Sequence, residues 1–219
     1  MTTKVIDWLD ERLGLQGIYS TVLDRKVPKV NWWFTLGSAS LFLFAMQVLT
    51  GIFLTVYYVP SPDHAYDSIQ FIMNGVPFGW LMRGIHHWGA SLMVIFVFAH
   101  MLRTFFYGAY KYPRELTWLT GAVLLLATVG MGFTGYLLPW NQRAYWATTV
   151  GTQIAGKVPI IGPYITQVMR GGSDLSAVTL ARFFSIHIWF LPAVIGAMIG
   201  VHMYLIIRLG IAGVPGKED

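Results

Sequence analysis

The sequence predicts an all-α integral membrane protein, a four-helix bundle, on two observations. Of its 219 residues 55% are hydrophobic and 11% are charged, whereas about 25% of the residues of a soluble domain are charged. Four stretches contain no Asp, Glu, Lys or Arg, namely 30–62, 84–102, 116–142 and 183–207. Each can cross a hydrocarbon core of about 30 Å as a helix, which takes about 17 to 25 residues.

The predicted spans lie near 33–58, 80–107, 116–137 and 179–208. They are predicted as helices because backbone groups in lipid must be satisfied internally, and the runs lack the two-residue alternation of a β-barrel. An amphipathic amino-terminal helix with four charged residues between 7 and 12 is expected on the membrane surface. Its acidic residues do not fit a cleavable leader.

The connections differ in length. Residues 60–79 are predicted to form an outer loop, whereas 140–178 is too long for a simple connector and is expected to contain short surface helices. The sequence shows no tandem repeat or domain linker, so we expect one domain over 1–219.

The basic residues indicate orientation. Ten of the 15 Lys and Arg residues fall on the side of the amino terminus, the 103–115 connection and the tail. The positive-inside rule then places both termini on the cytoplasmic side of the cell (inner) membrane. Because these residues flank spans, the net charge of +5 does not indicate a nucleic-acid partner. The absence of cysteine excludes disulfides, thiolate-bound iron–sulfur clusters and thioether-attached haem in this chain.

Four histidines lie inside the apolar runs as two pairs, His86 with His100 and His187 with His202, at intervals of 14 and 15 residues. In a helix these intervals give rotations of about −40° and about +60°, so each pair keeps roughly one face. The axial separation within a pair is roughly 21 to 23 Å. The second and fourth spans cross in the same direction, so His86 can face His187 on the outer side and His100 can face His202 on the inner side.

Two ligands at each of two levels would hold the irons of two stacked b-type haems. A single histidine in a span is more often a hydrogen-bonding residue between helices, but four matched in phase, depth and direction favour haem ligation. With both axial positions filled, such a haem transfers electrons and does not activate oxygen. The predicted fold is therefore a bundle enclosing two haems.

Glycines and arginines extend this candidate site. The glycines repeat the 14-residue interval on the first and third spans, where they would let backbone approach a macrocycle: Gly37 and Gly51, Gly121 and Gly135. Ordinary packing of small residues is the alternative explanation. Three arginines near the histidine levels are candidates for the haem propionates, and membrane-flanking residues are the alternative: Arg83, Arg103 and Arg114.

These residues resemble the cytochrome b family of the quinol-oxidising bc complexes. The matching segments are RGIHHWGAS, AHMLR, PRELTW, GYLLPW, RFFSIHIWFLP and VHMYLIIRLGIAG. The chain is most similar to the short, split cytochrome b₆ type, because of its length and its 15-residue histidine interval. It lacks the PEWY motif that marks the quinol-oxidising site in the family, so the resemblance implies that a partner completes that site.

One difference concerns the third haem that photosynthetic members and related bacterial forms attach through a single thioether bond. The corresponding position here is Thr35, so a covalent third haem is not expected. His87 also stands where photosynthetic members often have arginine. Together these features indicate a bacterial b₆-like protein outside the oxygenic group.

The resemblance implies a di-haem subunit of a quinol:cytochrome c (or equivalent acceptor) oxidoreductase that couples electron transfer to proton translocation. Quinol and quinone would be its substrates. Its implied partners are a subunit IV-like membrane protein, a Rieske iron–sulfur protein and a c-type cytochrome, in a dimeric complex. Candidate quinone-pocket residues, which could equally be interfacial packing residues, are Tyr136, Pro139, Trp140, Tyr145 and, on the inner side, Arg208.

Two alternatives remain open. The first is the di-haem membrane anchor of a hydrogenase or formate dehydrogenase, against which the GYLLPW and PRELTW segments argue. The second is a haem-free proton-conducting transporter with histidines along its path, which leaves the glycine intervals unexplained.

Overall fold

Within the part of the chain that the computed structural model describes, four helices are long and apolar enough to cross a membrane. These four spans are Trp32–Tyr57, Gly79–Phe106, Glu115–Leu137 and Ala177–Leu209, each bound lying within two residues of its prediction. The first span consists of a 3₁₀ turn, Trp32–Thr35, and an α-helix, Leu36–Tyr57. Large apolar side chains along the spans are exposed, as an extensive lipid-facing surface requires. The chain is therefore a multi-pass membrane protein.

The structure describes residues 2–13, 16, 17, 20 and 32–213. They belong to two compact units, Met1–Thr35 and Leu36–Asp219. The first unit contains the predicted amino-terminal helix, Thr2–Leu13. Within this helix the guanidinium of Arg12 lies 4.3 Å from the ring centroid of Trp8 and donates to the Trp8 carbonyl at 2.9 Å. The rest of the predicted amphipathic segment, which ends at 27–29, lies outside the described residues except for 16, 17 and 20, and so does the tail from 214.

In the second unit the first span packs mainly against the second, and the fourth packs mainly against the third. The second and third spans also contact each other, so the four helices form one bundle. This arrangement packs each histidine-bearing span against a helix that carries two of the predicted glycines, the second span against the first and the fourth against the third.

The fourth span is not a uniform α-helix. An α-helical segment, Ala177–Ser185, is followed by a π-helical turn, Ile186–Phe190, and then by an α-helix, Leu191–Leu209. A π turn takes up about one residue more than an α turn. Pro192 lies two residues after this turn. Because it lacks an N–H and its ring crowds the carbonyl one turn earlier, it disfavours a regular α-helix here.

The π turn changes the interpretation of the histidine intervals. In a regular α-helix, two residues 15 positions apart differ in direction by about +60°. Because the π turn at His187 absorbs one residue, the 15-residue interval to His202 corresponds to about 14 α-helical residues. The two histidine pairs therefore have nearly the same phase.

The connections at the end of the bundle that is predicted to face outward are largely helical. As predicted, the segment between the third and fourth spans contains short helices, Gln142–Ala155 and Gly162–Arg170. The expectation of a plain loop at 60–79 was wrong, because Ala65–Asn74 is an amphipathic helix with Ile69 and Ile72 buried. Its alanine joins a buried apolar cluster at this end of the bundle, formed by Ala65, Leu137, Leu175, Leu180 and Phe183.

Two polar side chains, Arg170 and Tyr58, hold this outer layer in place. The side chain of Arg170, 6% exposed, donates to the Thr152 hydroxyl at 2.8 Å and to the carbonyls of Ser173 and Thr149 at 2.8 and 2.9 Å. The hydroxyl of Tyr58 donates to the Leu138 carbonyl at 2.6 Å. Burial raises the pKa of Tyr58, so the phenol remains a protonated donor.

Candidate functional site

The outer pair of histidines faces each other across the bundle. The ring centroids of His86 and His187 are 6.3 Å apart, and their planes are inclined by 75°. Taking a metal–imidazole bond of about 2.0 to 2.1 Å, as for zinc, and about 1.2 Å from nitrogen to centroid, two ligands on opposite sides of one metal have centroids roughly 6.4 Å apart. The separation therefore fits one metal between the two rings.

The inner pair lies farther along the same two spans. His100 and His202 interact electrostatically, as expected if they lie at the same level of the bundle. Each pair draws one histidine from the second span and one from the fourth. Two levels of paired imidazoles are thus present in the structure.

Each of the four predicted glycines lies against a different histidine ring. The glycines of the first span face the second: a Cβ added to Gly37 would lie 3.1 Å from His100 Cε1, and one added to Gly51 would lie 3.3 Å from His86 Cε1. The glycines of the third span face the fourth: an added Cβ would lie 3.4 Å from His202 Cε1 at Gly121 and 2.6 Å from His187 Cε1 at Gly135. In these contacts the glycines make room for the imidazoles themselves.

Three of these glycines follow a threonine that contacts the same histidine. The distances between Oγ1 and Nδ1 are 2.9 Å for Thr50 and His86, 2.9 Å for Thr120 and His202, and 3.1 Å for Thr134 and His187. The fourth glycine, Gly37, follows Leu36, which has no hydroxyl. A Thr-Gly dipeptide therefore accompanies three of the four histidines.

The threonine hydroxyls indicate which ring nitrogen carries the proton in three of the four histidines. The threonines donate to carbonyls of their own helices, at 2.7 Å from Thr50 to Met46, 2.9 Å from Thr120 to Thr117 and 2.8 Å from Thr134 to Gly130. Since each hydroxyl proton is used in this way, the oxygen accepts from the imidazole Nδ1–H. Backbone carbonyls are further partners of the same three rings: Gln47, Thr117 and Met131. This arrangement leaves Nε2 deprotonated and available to a metal.

The donor set suits a haem better than a bare ion. Among the described residues there is no group of three or more His, Asp or Glu side chains that could hold a metal ion. A structural or catalytic metal site built from protein alone has at least three such ligands. Two imidazoles per level fit an iron whose other four positions are supplied by a macrocycle, so the residues present fit haem.

The predicted arginines make contacts of different kinds in the structure. Arg83 Nη1 donates to the Met73 sulfur at 3.6 Å, and the guanidinium of Arg103, 8% exposed, lies 5.1 Å from the Tyr107 ring centroid. Arg114 caps the end of the fourth span, with its shortest bond to the Gly210 carbonyl at 3.2 Å. Arg208 is exposed, and its Nη1 lies 3.5 Å from the Tyr204 hydroxyl.

The predicted quinone-pocket residues are only partly brought together. The rings of Trp140 and Tyr145 are 5.8 Å apart, and both residues pack against the outer apolar cluster. Pro139 is half-buried, whereas Tyr136 is 44% exposed. A cavity of about 780 Å³ lies instead beside the two short outer helices, where Gln153, Lys157 and Gln167 line part of it.

Sequence reasoning missed the threonines and Gln47. The available signal was the Thr-Gly dipeptide at 50–51, 120–121 and 134–135. Gln47 is 8% exposed and lies one helical turn from Gly51. A glutamine buried in a membrane span is costly unless it serves a purpose.

Fold and site together define a class: helical multi-pass membrane proteins with facing histidine pairs suited to haem. Residues 22–210 match the cytochrome b/b6/petB family. The chain belongs to this family, for which haem b is the implied cofactor. This membership argues against the hydrogenase anchor and the transporter.

Individual relatives match over nearly the whole chain. The chain is 45% identical to the menaquinol:cytochrome c reductase cytochrome b subunit of Geobacillus thermodenitrificans, over 97% of this chain and 99% of that protein. It is 43% identical to cytochrome b6 of Synechococcus elongatus (strain PCC 7942), over 96% and 99%. A chain of a hyperthermophilic respiratory Complex III superposes with a TM-score of 0.86 at 35% identity. The match covers 98% of this chain and 59% of that one.

Proposed function

We propose that the chain is the di-haem cytochrome b subunit of a quinol:cytochrome c, or equivalent acceptor, oxidoreductase. It would carry electrons between a quinol-oxidising site on the outer side and a quinone-reducing site on the inner side, coupled to proton translocation. The observation that carries this proposal is the facing pair His86 and His187 at a separation that fits one iron. The relatives support it, because one of them is named as a menaquinol:cytochrome c reductase subunit.

In this proposal His86 and His187 hold an outer haem b, and His100 and His202 hold an inner one. When bound, each haem iron supplies a one-electron carrier. The threonines keep the Nδ1 proton of three ligands in place, which orients those rings and presents Nε2. The glycines supply the space in which the rings stand.

The arginines are proposed as propionate partners. Arg83 and Arg103 lie on the second span, close in sequence to His86 and His100 respectively. Arg114 holds carbonyls at the end of the fourth span. Its guanidinium would stabilise anionic groups at the inner end of the bundle.

The further parts of the proposal follow the family. Partner subunits would include a subunit IV-like protein, a Rieske protein and a c-type cytochrome, in a dimer. The chain would lie in the inner membrane with both termini cytoplasmic. The haems would be bound without covalent attachment, since no cysteine is present. At the corresponding position, the hydroxyl of Thr35 donates to the Trp32 carbonyl at 2.7 Å.

The test is a pyridine haemochrome spectrum of the purified complex, before and after extraction with acid–acetone. Two extractable b haems on this chain are expected. A haem-free chain would overturn the proposal, and haem retained on this polypeptide after extraction would contradict non-covalent binding.

The pairing is tested by separate substitutions. His202→Ala should remove the inner haem and leave the outer one, whereas His187→Ala should remove the outer one. His87→Ala is the matched control, because His87 is exposed next to a ligand. Loss of both haems or of neither in the two ligand variants would contradict the assigned pairs.

A further inference from the structure

The side chain of Gln47 has an unsatisfied donor inside the bundle. Gln47 is 8% exposed, and its Nε2 has no hydrogen-bond partner among the described residues. A buried donor without an acceptor costs roughly 1 to 3 kcal/mol. Because such groups are rare in native proteins, this one calls for an explanation.

Gln47 belongs to the surroundings of the outer histidine pair. Its backbone carbonyl is a hydrogen-bond partner of His86, and Thr50, three residues later, contacts the same ring. The residue therefore lies on the face of the first span that supports one ligand of the outer level. A polar side chain at this position is next to the place where the proposed function puts a haem.

The neighbouring helix makes room for the amide. A Cβ at Gly89 on the second span would collide with Gln47 Nε2, and it would lie 3.2 Å from Met46 Cε. Gly89 is buried, so no larger side chain fits there without moving the amide. The two helices together hold the Gln47 amide beside Gly89, which lies three residues after His86 on the second span.

We propose that the side-chain amide of Gln47 tunes the outer haem. Its N–H dipole is held towards that haem and raises the haem's reduction potential. This inference rests on the proposed function, since it requires the outer haem. Reduction adds one electron to the iron, and no proton moves at Gln47. The positive end of an N–H dipole stabilises this added negative charge, and it does so more strongly in a low-dielectric interior than in water.

The first variant is Gln47→Leu, which removes the dipole and keeps much of the volume. At a fixed applied potential near the midpoint, the ratio of reduced to oxidised outer haem should fall by a factor of roughly three to ten. For a one-electron couple a tenfold change corresponds to about 59 mV. Potentiometric titration of the haem absorbance in the intact complex measures this shift, and the inner haem should remain unchanged.

A second variant displaces the amide without deleting it. Gly89→Ala should lower the outer potential in the same direction, because the added methyl collides with Nε2. Its matched control is Gly132→Ala, where a Cβ would meet nothing within 4 Å. Thr148→Val is the control for Gln47→Leu, since it removes another buried and unsatisfied donor, on a helix outside the spans.

The outcomes separate the two proposals. A wild-type complex without two b haems on this chain fails the proposed function. A wild-type complex with two haems, in which Gln47→Leu leaves the outer potential unchanged or raises it, overturns the inference alone. An equal fall in both haems, or an equal fall in Thr148→Val, also overturns it, because the effect would not belong to the outer site.

Discussion

The hydroxyl of Thr134 lies 3.1 Å from Nδ1 of His187, and the residue after it, Gly135, lies against the same ring. Two adjacent residues thus act on one imidazole in different ways. The threonine oxygen accepts a hydrogen bond from Nδ1–H and so fixes the ring's tautomer, and the glycine leaves the volume that the ring occupies. Each feature leads to a prediction that can be measured on its own.

Thr134→Val should raise the reduction potential of the outer haem and leave the inner haem unchanged. Without the hydroxyl acceptor His187 becomes a less basic ligand, which stabilises the ferric state less. The expected change is opposite in sign to that of Gln47→Leu. Potentiometric titration measures it, and Thr128→Val is the control, because that buried hydroxyl donates to the Leu124 carbonyl of its own helix. A lowered outer potential in Thr134→Val would contradict the assigned role.

The loss of haem on replacing each of these glycines by alanine should depend on the space around the added Cβ. Gly135→Ala should lose the outer haem, since its Cβ would lie 2.6 Å from an imidazole that cannot move while it ligates iron. Gly121→Ala should retain both haems, since the corresponding distance of 3.4 Å is close to ordinary contact. Haem content per chain measures both. Equal haem content in the two variants would show that the distance between the added Cβ and the imidazole does not decide whether alanine is tolerated.

The π turn predicts where the fourth span tolerates a deletion. Deleting Trp189, which is 74% exposed, should convert the π turn into α-helix and keep His187 in phase with His202, so both haems should bind. Deleting Gly196 from the regular helix keeps the π turn and rotates one histidine by about 100° relative to the other. That variant should lose a haem. If both deletions bind haem equally, the π turn does not compensate the 15-residue interval.

Arg170 should stabilise the outer layer without affecting the haems. Arg170→Met removes three hydrogen bonds that join the two short outer helices and the segment that follows them. Since a hydrogen bond to a charged group contributes about 1.5 to 3 kcal/mol, protease cleavage within 140–176 should become roughly 30-fold faster. Arg143→Met is the control, because Arg143 is exposed. Unchanged cleavage would show that this side chain does not hold the layer together.

The sequence predicts the spans and the histidine pairs well, because both depend on patterns that extend over many residues. A charge-free run identifies a span regardless of its packing. The helix Ala65–Asn74 was missed because Pro60, Pro62 and Asp63 before it are typical of a loop, and its apolar face is short.

Other features could not be predicted, because they depend on contacts between helices. A Thr-Gly dipeptide distinguishes Thr50 from Thr128 in the sequence, but only the structure shows that Thr50 reaches a histidine whereas Thr128 bonds within its own helix. The 15-residue interval was equally ambiguous, since an added residue can rotate a histidine or be absorbed by a π turn. For Gln47, only the structure shows that the amide lacks a partner.

Arg114 stands before the third span, yet its guanidinium bonds carbonyls 95 to 97 positions later, where the fourth span ends. As the chain is synthesised, this contact cannot form until the last span has been translated and inserted. The same holds for Thr120 and His202, which come from those two spans. The carboxyl-terminal helix therefore completes both histidine pairs, so a ribosome-bound intermediate with three spans would expose two histidines without their partners.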